Sequence, residues 1–398
     1  MRSQSRGGHR VVTLPGGTGA SAVSGVLAAL PRALEGSAPL RVADPDVRDV
    51  TVPAVPGGVA AVVATSGSTS GTGHLVALDG AGLVASARAT YARLAGPGQW
   101  VACLPVHHVA GLQVLVRSVV AGTEPVVLDT SAGFRAAGLA AAVRRLRPDV
   151  PGYLSLVPTQ LARVMDDADA VAALRGLAAV LVGGARTAAA LLDAAREAGV
   201  PVVTTYGMTE TGGGCVYDGV PLDGVDVEVD AEERVWLSGP VLARGYLDDP
   251  AADRATFRER DGRRWLRTSD RGVLDGGTLT VLGRLDDVVV TGGLNVSPAA
   301  VEQALGELPG AGEVVVVGVP DDHWGALVTA VVAGDDVPDL ARVREHVAAR
   351  LGRHHAPRAL VRLPELPLRG PGKVDRLTAA RLATELLSGA DPRAERLP

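Results

Sequence analysis

The feature that most constrains this chain is an alternation of strand-like and helix-like stretches that begins at residue 59 and runs past residue 200. "GVAAVVATSG" reads as a buried strand entering a loop, and 79–95 reads as a helix. "WVACLPV", helix 111–121, "EPVVLD", helix 134–146, "GYLSLVPTQLARVM", "LAAVLVGG", helix 187–198 and "PVVTTYG" follow in that rhythm. Continuous apolar strands separated by helices need both faces covered, so the pattern predicts a mostly parallel sheet flanked by helices. Residues 225–282 change to short alternating runs with Gly turns, which predicts antiparallel structure. Beyond "GRLDD" (283–287) the reading is helix 297–308, strands 313–319 and 326–333, helix 338–351 and a strand near 358–363. The fold class is therefore α/β: a large N-terminal domain over 1–285 and a small, separate α+β domain over 286–398. A chain of 398 residues has the length for that division.

Charge and cysteine usage narrow the function. A formal net charge of −5 offers no basic excess for nucleic acid or an anionic membrane surface. No apolar run reaches the ~18–20 residues that span a bilayer. Cys103 and Cys215 form no metal or disulfide spacing pattern, and a reducing cytoplasm suits them. Composition is silent on oligomeric state, and a homo-oligomer stays open.

Two glycine-rich loops compete for a phosphate. "LPGGTGASAV" (14–23) imitates a dinucleotide fingerprint, but Pro15 ends its strand and no acid stands at the required distance, so it reads as a turn opening helix 20–34. "TSGSTSGTGH" (65–74) follows a strong buried strand and packs hydroxyls among glycines, whose backbone N–H groups can converge on an anion. It lacks the GK[ST] ending of a Walker loop, and a polar strand-to-helix turn is the structural alternative.

The remaining stretches decide between these. They are "LPVHHVAGLQVLVRS" (104–118), "VGGA" (182–185), "TYGMTET" (205–211), "RTSDRG" (267–272), "GRLDDVVVTGGLNVSPAAVEQAL" (283–305) and "LRGPGKVDR" (368–376). With the hydroxyl loop they make seven motifs that, in this order, resemble the adenylate-forming superfamily of acyl-CoA synthetases, luciferases and peptide-synthetase adenylation domains. The resemblance implies a two-step ligase using ATP, Mg²⁺ and CoA: a carboxylate displaces pyrophosphate from ATP, and a thiol then displaces AMP. An anion attacking a polyanion needs charge neutralisation more than covalent help.

Each role that follows is what the resemblance implies. Thr65, Ser66, Gly67, Ser68 and Thr69 would meet the β- and γ-phosphates; Glu210 would be the Mg²⁺ carboxylate, and Thr209 would meet the α-phosphate. Gly184 and Ala185 would pass along the adenine, with Tyr206 and Gly207 completing that wall; Asp270 would accept from the ribose hydroxyls and Arg284 would support the sugar. Taken singly, Asp270 and Arg284 also read as a surface pair, and Glu210 as a capping acid. Lys373 would serve adenylation, Asp286 would be the hinge, and Gly292 and Gly293 would line the tunnel for the thiol arm. On the acyl side His108 would form the pocket wall, with Ser155 and Thr159 at its edge, and Arg117 would receive a second carboxylate of an aromatic dicarboxylate substrate. A solvated helix-face charge is the alternative for Arg117, and His107 could point either way.

Two features are particular to this chain. Against the family's Pro-Lys-Gly at the end of the hydroxyl loop this chain reads "GTGH" with an apparent extra residue, so no lysine of this loop meets the terminal phosphates and His74 is the candidate substitute. Lys373 is the single lysine of the sequence; the other basic side chains, out of 39 Lys plus Arg, are arginines. A compact ammonium on a flexible stem reaches between two oxygens where a planar guanidinium is too broad. Alternatives of other kinds are a different aryl- or acyl-CoA ligase, an enzyme loading a carrier protein, a non-catalytic nucleotide-binding relative, and a dehydrogenase built on residues 14–23.

Overall fold

The computed structural model describes residues 8–45, 51–65, 73–334, 337–369, 373–389 and 391–397. Its central sheet has seven strands in the order Val220–Pro221, Gly213–Tyr217, Val202–Met208, Ala179–Gly183, Gly152–Leu156, Gln99–Ala102 and Val126–Val127. The five strands from Val202–Met208 onward pair in parallel, and the first two join antiparallel. Helices Val109–Ala121, Ala136–Val143, Pro158–Met165 and Ala189–Glu197 lie in the connections. Two apolar cores pack about the sheet, one around Trp100, Leu112, Leu115 and Tyr153 and the other around Leu139, Leu154 and Leu161. The parallel sheet expected from the alternation is present, and helix Ala20–Leu34 follows the turn at Gly17 as expected.

A second sheet departs from that reading. Val12–Pro15, Leu40–Ala43 and Val59–Ala64 pair in parallel, but Val59–Ala64 then pairs antiparallel with a further strand, Leu75–Asp79. The loop leaving Thr65 therefore joins two strands of one hairpin, not a strand to a helix. Its neck is closed by the Thr65 amide donating to the His74 carbonyl at 2.9 Å and the His74 amide donating to Thr65 Oγ1 at 2.8 Å. "LVALD" runs straight into helix Gly80–Arg93, and its Leu and Ala read equally well as the start of that helix. Helix 134–146 is also shorter than expected, at Ala136–Val143.

Residues 226–284 form the antiparallel unit, with Arg263–Asp275 pairing with Arg234–Ser238, Phe257–Arg260 and Thr278–Arg284. Past it, Glu313–Asp321, Gly325–Ala333, Ala359–Leu363 and Ala394–Arg396 make a four-stranded sheet. Helices Pro298–Gly306, Leu340–Leu351 and Arg376–Ser388 pack against it through two cores of their own. The fold is thus a large α/β domain followed by a small α+β domain. Lys373 sits in a two-residue strand, Lys373–Val374, paired with Leu368–Arg369. Asp375 next to it caps helix Arg376–Ser388 by accepting from the Thr378 amide, which fixes where the lysine leaves the domain. Among the described residues no helix is long and apolar enough to cross a membrane.

Candidate active site

Strand Val202–Met208 brings Tyr206 and Gly207 to the cleft and ends in the one-turn segment Thr209–Thr211, which carries Glu210. A Cβ on Gly207 would collide with the Gly213 carbonyl, so only glycine lets the two strands approach this closely. Glu210 Oε1 accepts from the Tyr246 hydroxyl at 2.7 Å. Burial first, and then the Glu210 charge, push the Tyr246 phenol above the ordinary tyrosine range, so it remains a donor. The Tyr246 ring stacks on His74 with centroids 4.5 Å apart, and His74 Nδ1 faces Asp248 at 3.7 Å. Thr65, His74, Tyr246 and Glu210 are therefore linked from the neck of the hydroxyl loop to the acid. Ser66, Gly67, Ser68 and Thr69 lie outside the described residues.

On the other side of Tyr206, its hydroxyl donates to Asp270 Oδ2 at 2.7 Å. Burial raises the Asp270 carboxyl above its usual range, while the Tyr206 hydrogen bond and the Arg284 charge pull it back. Asp270 and Arg284 face each other across the strand ladder. The Arg284 guanidinium donates through Nε and Nη2 to both carboxylate oxygens of Asp286 at 2.8 and 2.6 Å. Burial raises Asp286, but those two bonds outweigh it and hold the acid below its usual range. Arg284 is thus committed to Asp286 rather than to Asp270, which corrects the surface-pair alternative.

Lys373 reaches this cleft from the small domain. Gly184 adopts φ +81°, and a Cβ placed there would lie 3.4 Å from Lys373 Cε. Lys373 is also close enough to His108 for its charge to oppose protonation of the imidazole. Burial first, then His107, push His108 down to about 4, with Asp44 opposing and Lys373 adding to the fall. His107 points toward the Gly17 turn: the Gly17 amide donates to Nδ1 at 3.1 Å, which leaves the proton on Nε2, 3.7 Å from Asp44. Asp44, His107 and His108 offer ligand atoms within 4.8 Å of one another, but the Lys373 charge beside them disfavours a cation.

The shift at His108 gives a pH signature. Between pH 6.5 and about 4 the unfolded chain takes a proton that folded His108 refuses, so stability rises with pH across that window and is level above it. At pH 5 this costs about 1–2 kcal/mol relative to pH 7. Urea unfolding of wild type and His108→Gln at both pH values should show that this part of the dependence disappears in the variant.

Arg117 is 4% exposed, which corrects the solvated-face alternative. Its Nη2 donates to the Tyr217 hydroxyl at 3.2 Å, and its guanidinium lies 4.9 Å from the Trp100 ring centroid. Among the described residues, Arg117 Nε, Gln113 Oε1 and Ser86 Oγ are buried with no hydrogen-bond partner. Gln113 and Arg117 stand one turn apart on helix Val109–Ala121, and Ser86 lies on helix Gly80–Arg93, which packs against it. Gly213 packs on Gln113, and four residues further along both elements Tyr217 meets Arg117. Tyr217 also bonds Thr90, one helical turn beyond Ser86 in Gly80–Arg93. Gln113 Nε2 donates to the Gly212 carbonyl at 2.6 Å, two residues after Glu210. Ser155 is buried at the end of the central strand Gly152–Leu156, and Thr159 is half-buried in the first turn of Pro158–Met165.

Gly292 and Gly293 form the turn of hairpin Val289–Thr291/Leu294–Val296, with φ +55° and +78°. Gly292 packs against Trp324 of the small domain, and its amide donates to the Trp324 carbonyl at 2.9 Å. In this orientation it is Lys373 that faces Gly184. Sequence reasoning missed Tyr246, Gln113 and Asp44. "RGYL" and the Gln in "HHVAGLQ" carried usable signals, being a tyrosine and an amide in otherwise apolar strand and helix patterns.

A large α/β domain followed by a small α+β domain whose Lys373 meets Gly184 of the large one defines an adenylate-forming architecture. The chain belongs to the AMP-binding enzyme family: the model of that family matches residues 20–247, and that of the AMP-binding enzyme C-terminal domain matches 300–373. A probable 2-succinylbenzoate–CoA ligase of Mycobacterium tuberculosis is 46% identical over 384 residues, covering 94% of this chain and 98% of that protein. The 2-succinylbenzoate–CoA ligase of Listeria monocytogenes is 29% identical over 290 residues, covering 70% of this chain and 60% of its own length. Among solved structures, the o-succinylbenzoate CoA synthetase of Bacillus subtilis with its acyl-adenylate intermediate has a TM-score of 0.73 at 23% identity, covering 94% of this chain and 88% of that one. ATP-bound MatB from Rhodopseudomonas palustris has a TM-score of 0.74 at 24% identity, covering 94% and 79%. At these identities the two structures share the fold.

Proposed function

We propose that this chain converts 2-succinylbenzoate, ATP and CoA to 2-succinylbenzoyl-CoA, AMP and diphosphate, the activation step of that acid in menaquinone synthesis. In the first half-reaction a carboxylate oxygen of the substrate forms a bond to the α-phosphorus as the bond to diphosphate breaks. In the second, the CoA sulfur bonds to the acyl carbon, AMP leaves with the electron pair, and the thiol proton passes to solvent. The domain boundary falls at 285/286, with Asp286 as hinge.

Lys373 neutralises the attacking carboxylate and the α-phosphate together, and Thr209 donates to that phosphate. The hydroxyls from Thr65 to Thr69 hold the distal phosphates with the backbone of Gly67. Asp270, fixed by Tyr206, accepts from the ribose; Gly184, Ala185 and Gly207 border the adenine; Arg284 acts on the sugar indirectly, through the hinge acid it holds. The Glu210 carboxylate fits Mg²⁺, since one oxygen is steadied by Tyr246 and a hard anionic oxygen is the donor this ion prefers. When bound, Mg²⁺ supplies charge neutralisation on the triphosphate. His108, neutral at pH 7, makes the aromatic wall of the acyl pocket with Ser155 and Thr159 at its edge. Gly292 and Gly293 line the thiol tunnel once the small domain has rotated. Two free buried thiols, Cys103 and Cys215, suit a cytoplasmic setting.

The observation that carries the choice of acid is the buried Nε of Arg117, without a hydrogen-bond partner among the described residues, a donor that an anion would satisfy. The 46% likeness to the mycobacterial ligase supports it. The test is AMP release with ATP and CoA across a panel of acids. We expect 2-succinylbenzoate to exceed benzoates lacking the succinyl carboxylate by roughly 10²-fold or more in kcat/KM. Turnover of plain benzoates with none of 2-succinylbenzoate overturns the assignment.

A further inference from the structure

The loop that meets Lys373 also grips the small domain. Directly after Gly184 and Ala185, Arg186 donates through Nη2 to Gln303 Oε1 at 2.6 Å and through Nη1 to the Ala299 carbonyl at 3.4 Å. Both acceptors lie on helix Pro298–Gly306, the first helix after the hinge, and they are four residues apart, so they share one face. The same helix presses on the large domain a second time, because a Cβ at Gly283 would sit 2.8 Å from Ala299 Cβ. Any rotation at Asp286 that withdraws Lys373 carries this helix away from Arg186 and breaks both bonds.

We propose that Arg186 is a positioning residue for the adenylation half-reaction, clasping helix Pro298–Gly306 so that Lys373 stays against Gly184. The proposal rests on the two-orientation ligase described above. Arg186 touches neither substrate nor reacting atom; it acts through the domain it holds. A guanidinium suits the task, since its fork bonds a side-chain and a backbone acceptor at once. The bonds are solvent-exposed and individually weak, as a contact broken in each turnover must be.

The test separates the half-reactions. In Arg186→Ala and in Gln303→Ala, ATP–diphosphate exchange should fall roughly five- to tenfold, while thioester formation from supplied acyl-adenylate stays level or rises. The double variant should be no worse than Arg186→Ala alone, because Gln303→Ala removes one of the two bonds that Arg186→Ala already removes. Thermal midpoints should match wild type, and Arg186→Lys should recover part of the exchange rate. Equal loss in both half-reactions, additive losses, or unchanged exchange overturns the clasp. A second reading does not depend on the acid. Labels at Glu197→Cys and Glu345→Cys, on exposed positions of the two domains, report their separation by energy transfer, and the buried native cysteines escape labelling. Arg186→Ala should broaden or shift that distance without any substrate. No shift sinks the clasp, whereas wild type inactive with 2-succinylbenzoate sinks only the choice of acid.

Discussion

Lys373→Ala should lose adenylation by roughly 10²–10³-fold while thioester formation from supplied acyl-adenylate stays within about threefold of wild type. The first effect follows from charge. The attacking carboxylate and the α-phosphate approach as two anions, and Lys373 is the cation that meets them at Gly184. No second lysine exists in the chain to replace it. The second effect follows from the proposed rotation of the small domain, in which thiol attack would use an orientation that presents Gly292 and Gly293 in place of Lys373. Lys373→Arg should recover little, since a guanidinium is broader than an ammonium and fixed in its fork. Folding should be almost unaffected, since the lysine is only half-buried in a two-residue strand. Single-turnover assays of each half-reaction decide the matter, and parallel loss in both would remove Lys373 from its adenylation-specific role.

What the sequence made legible divides along a physical line. Local periodicity exposed the parallel sheet, the antiparallel unit and the small domain, because each element carries its own pattern. It failed at Leu75–Asp79, where apolar Leu and Ala run unbroken into a helix and only pairing with Val59–Ala64 makes a strand. Candidate residues inside ordered motifs, such as Asp270 and Lys373, were picked out by the motif, and the structure places Asp270 against Tyr206 and Lys373 beside Gly184. Partners brought in from distant segments were not. Tyr246 reaches Glu210 across 36 residues, Gly17 reaches His107 across 90, and Arg186 reaches Gln303 across 117. Arg284 illustrates a third case: the motif pointed to the residue, but not to its bidentate bond with Asp286, which only the structure shows.

Arg117→Met should uncouple activity from stability, which is the signature of a buried charge kept for a ligand. Among the described residues no carboxylate lies within ion-pair distance of this guanidinium; its side-chain contacts are one hydroxyl and the face of Trp100. A cation taken out of water with so little compensation costs several kcal/mol, and a well-packed apolar side chain of similar length removes that cost. The unfolding free energy should therefore change by less than about 1 kcal/mol or rise. Were Arg117 only a packing element, its loss would leave Tyr217 and Trp100 poorly filled and lower stability by about 2–4 kcal/mol. Activity should move the other way. Turnover of 2-succinylbenzoate should fall roughly 10²–10³-fold in kcat/KM, mostly through KM, because the bidentate partner of its second carboxylate is gone. An acid without that carboxylate should lose little, and its rate relative to 2-succinylbenzoate should rise. Gln113→Leu, one turn earlier on the same helix, provides the internal comparison, since its orphaned Oε1 is likewise buried but carries no charge. Its effect on the two acids should be smaller and nearly equal. If Arg117→Met instead unfolds the protein while sparing the preference between acids, the guanidinium belongs to the core and the second carboxylate binds elsewhere.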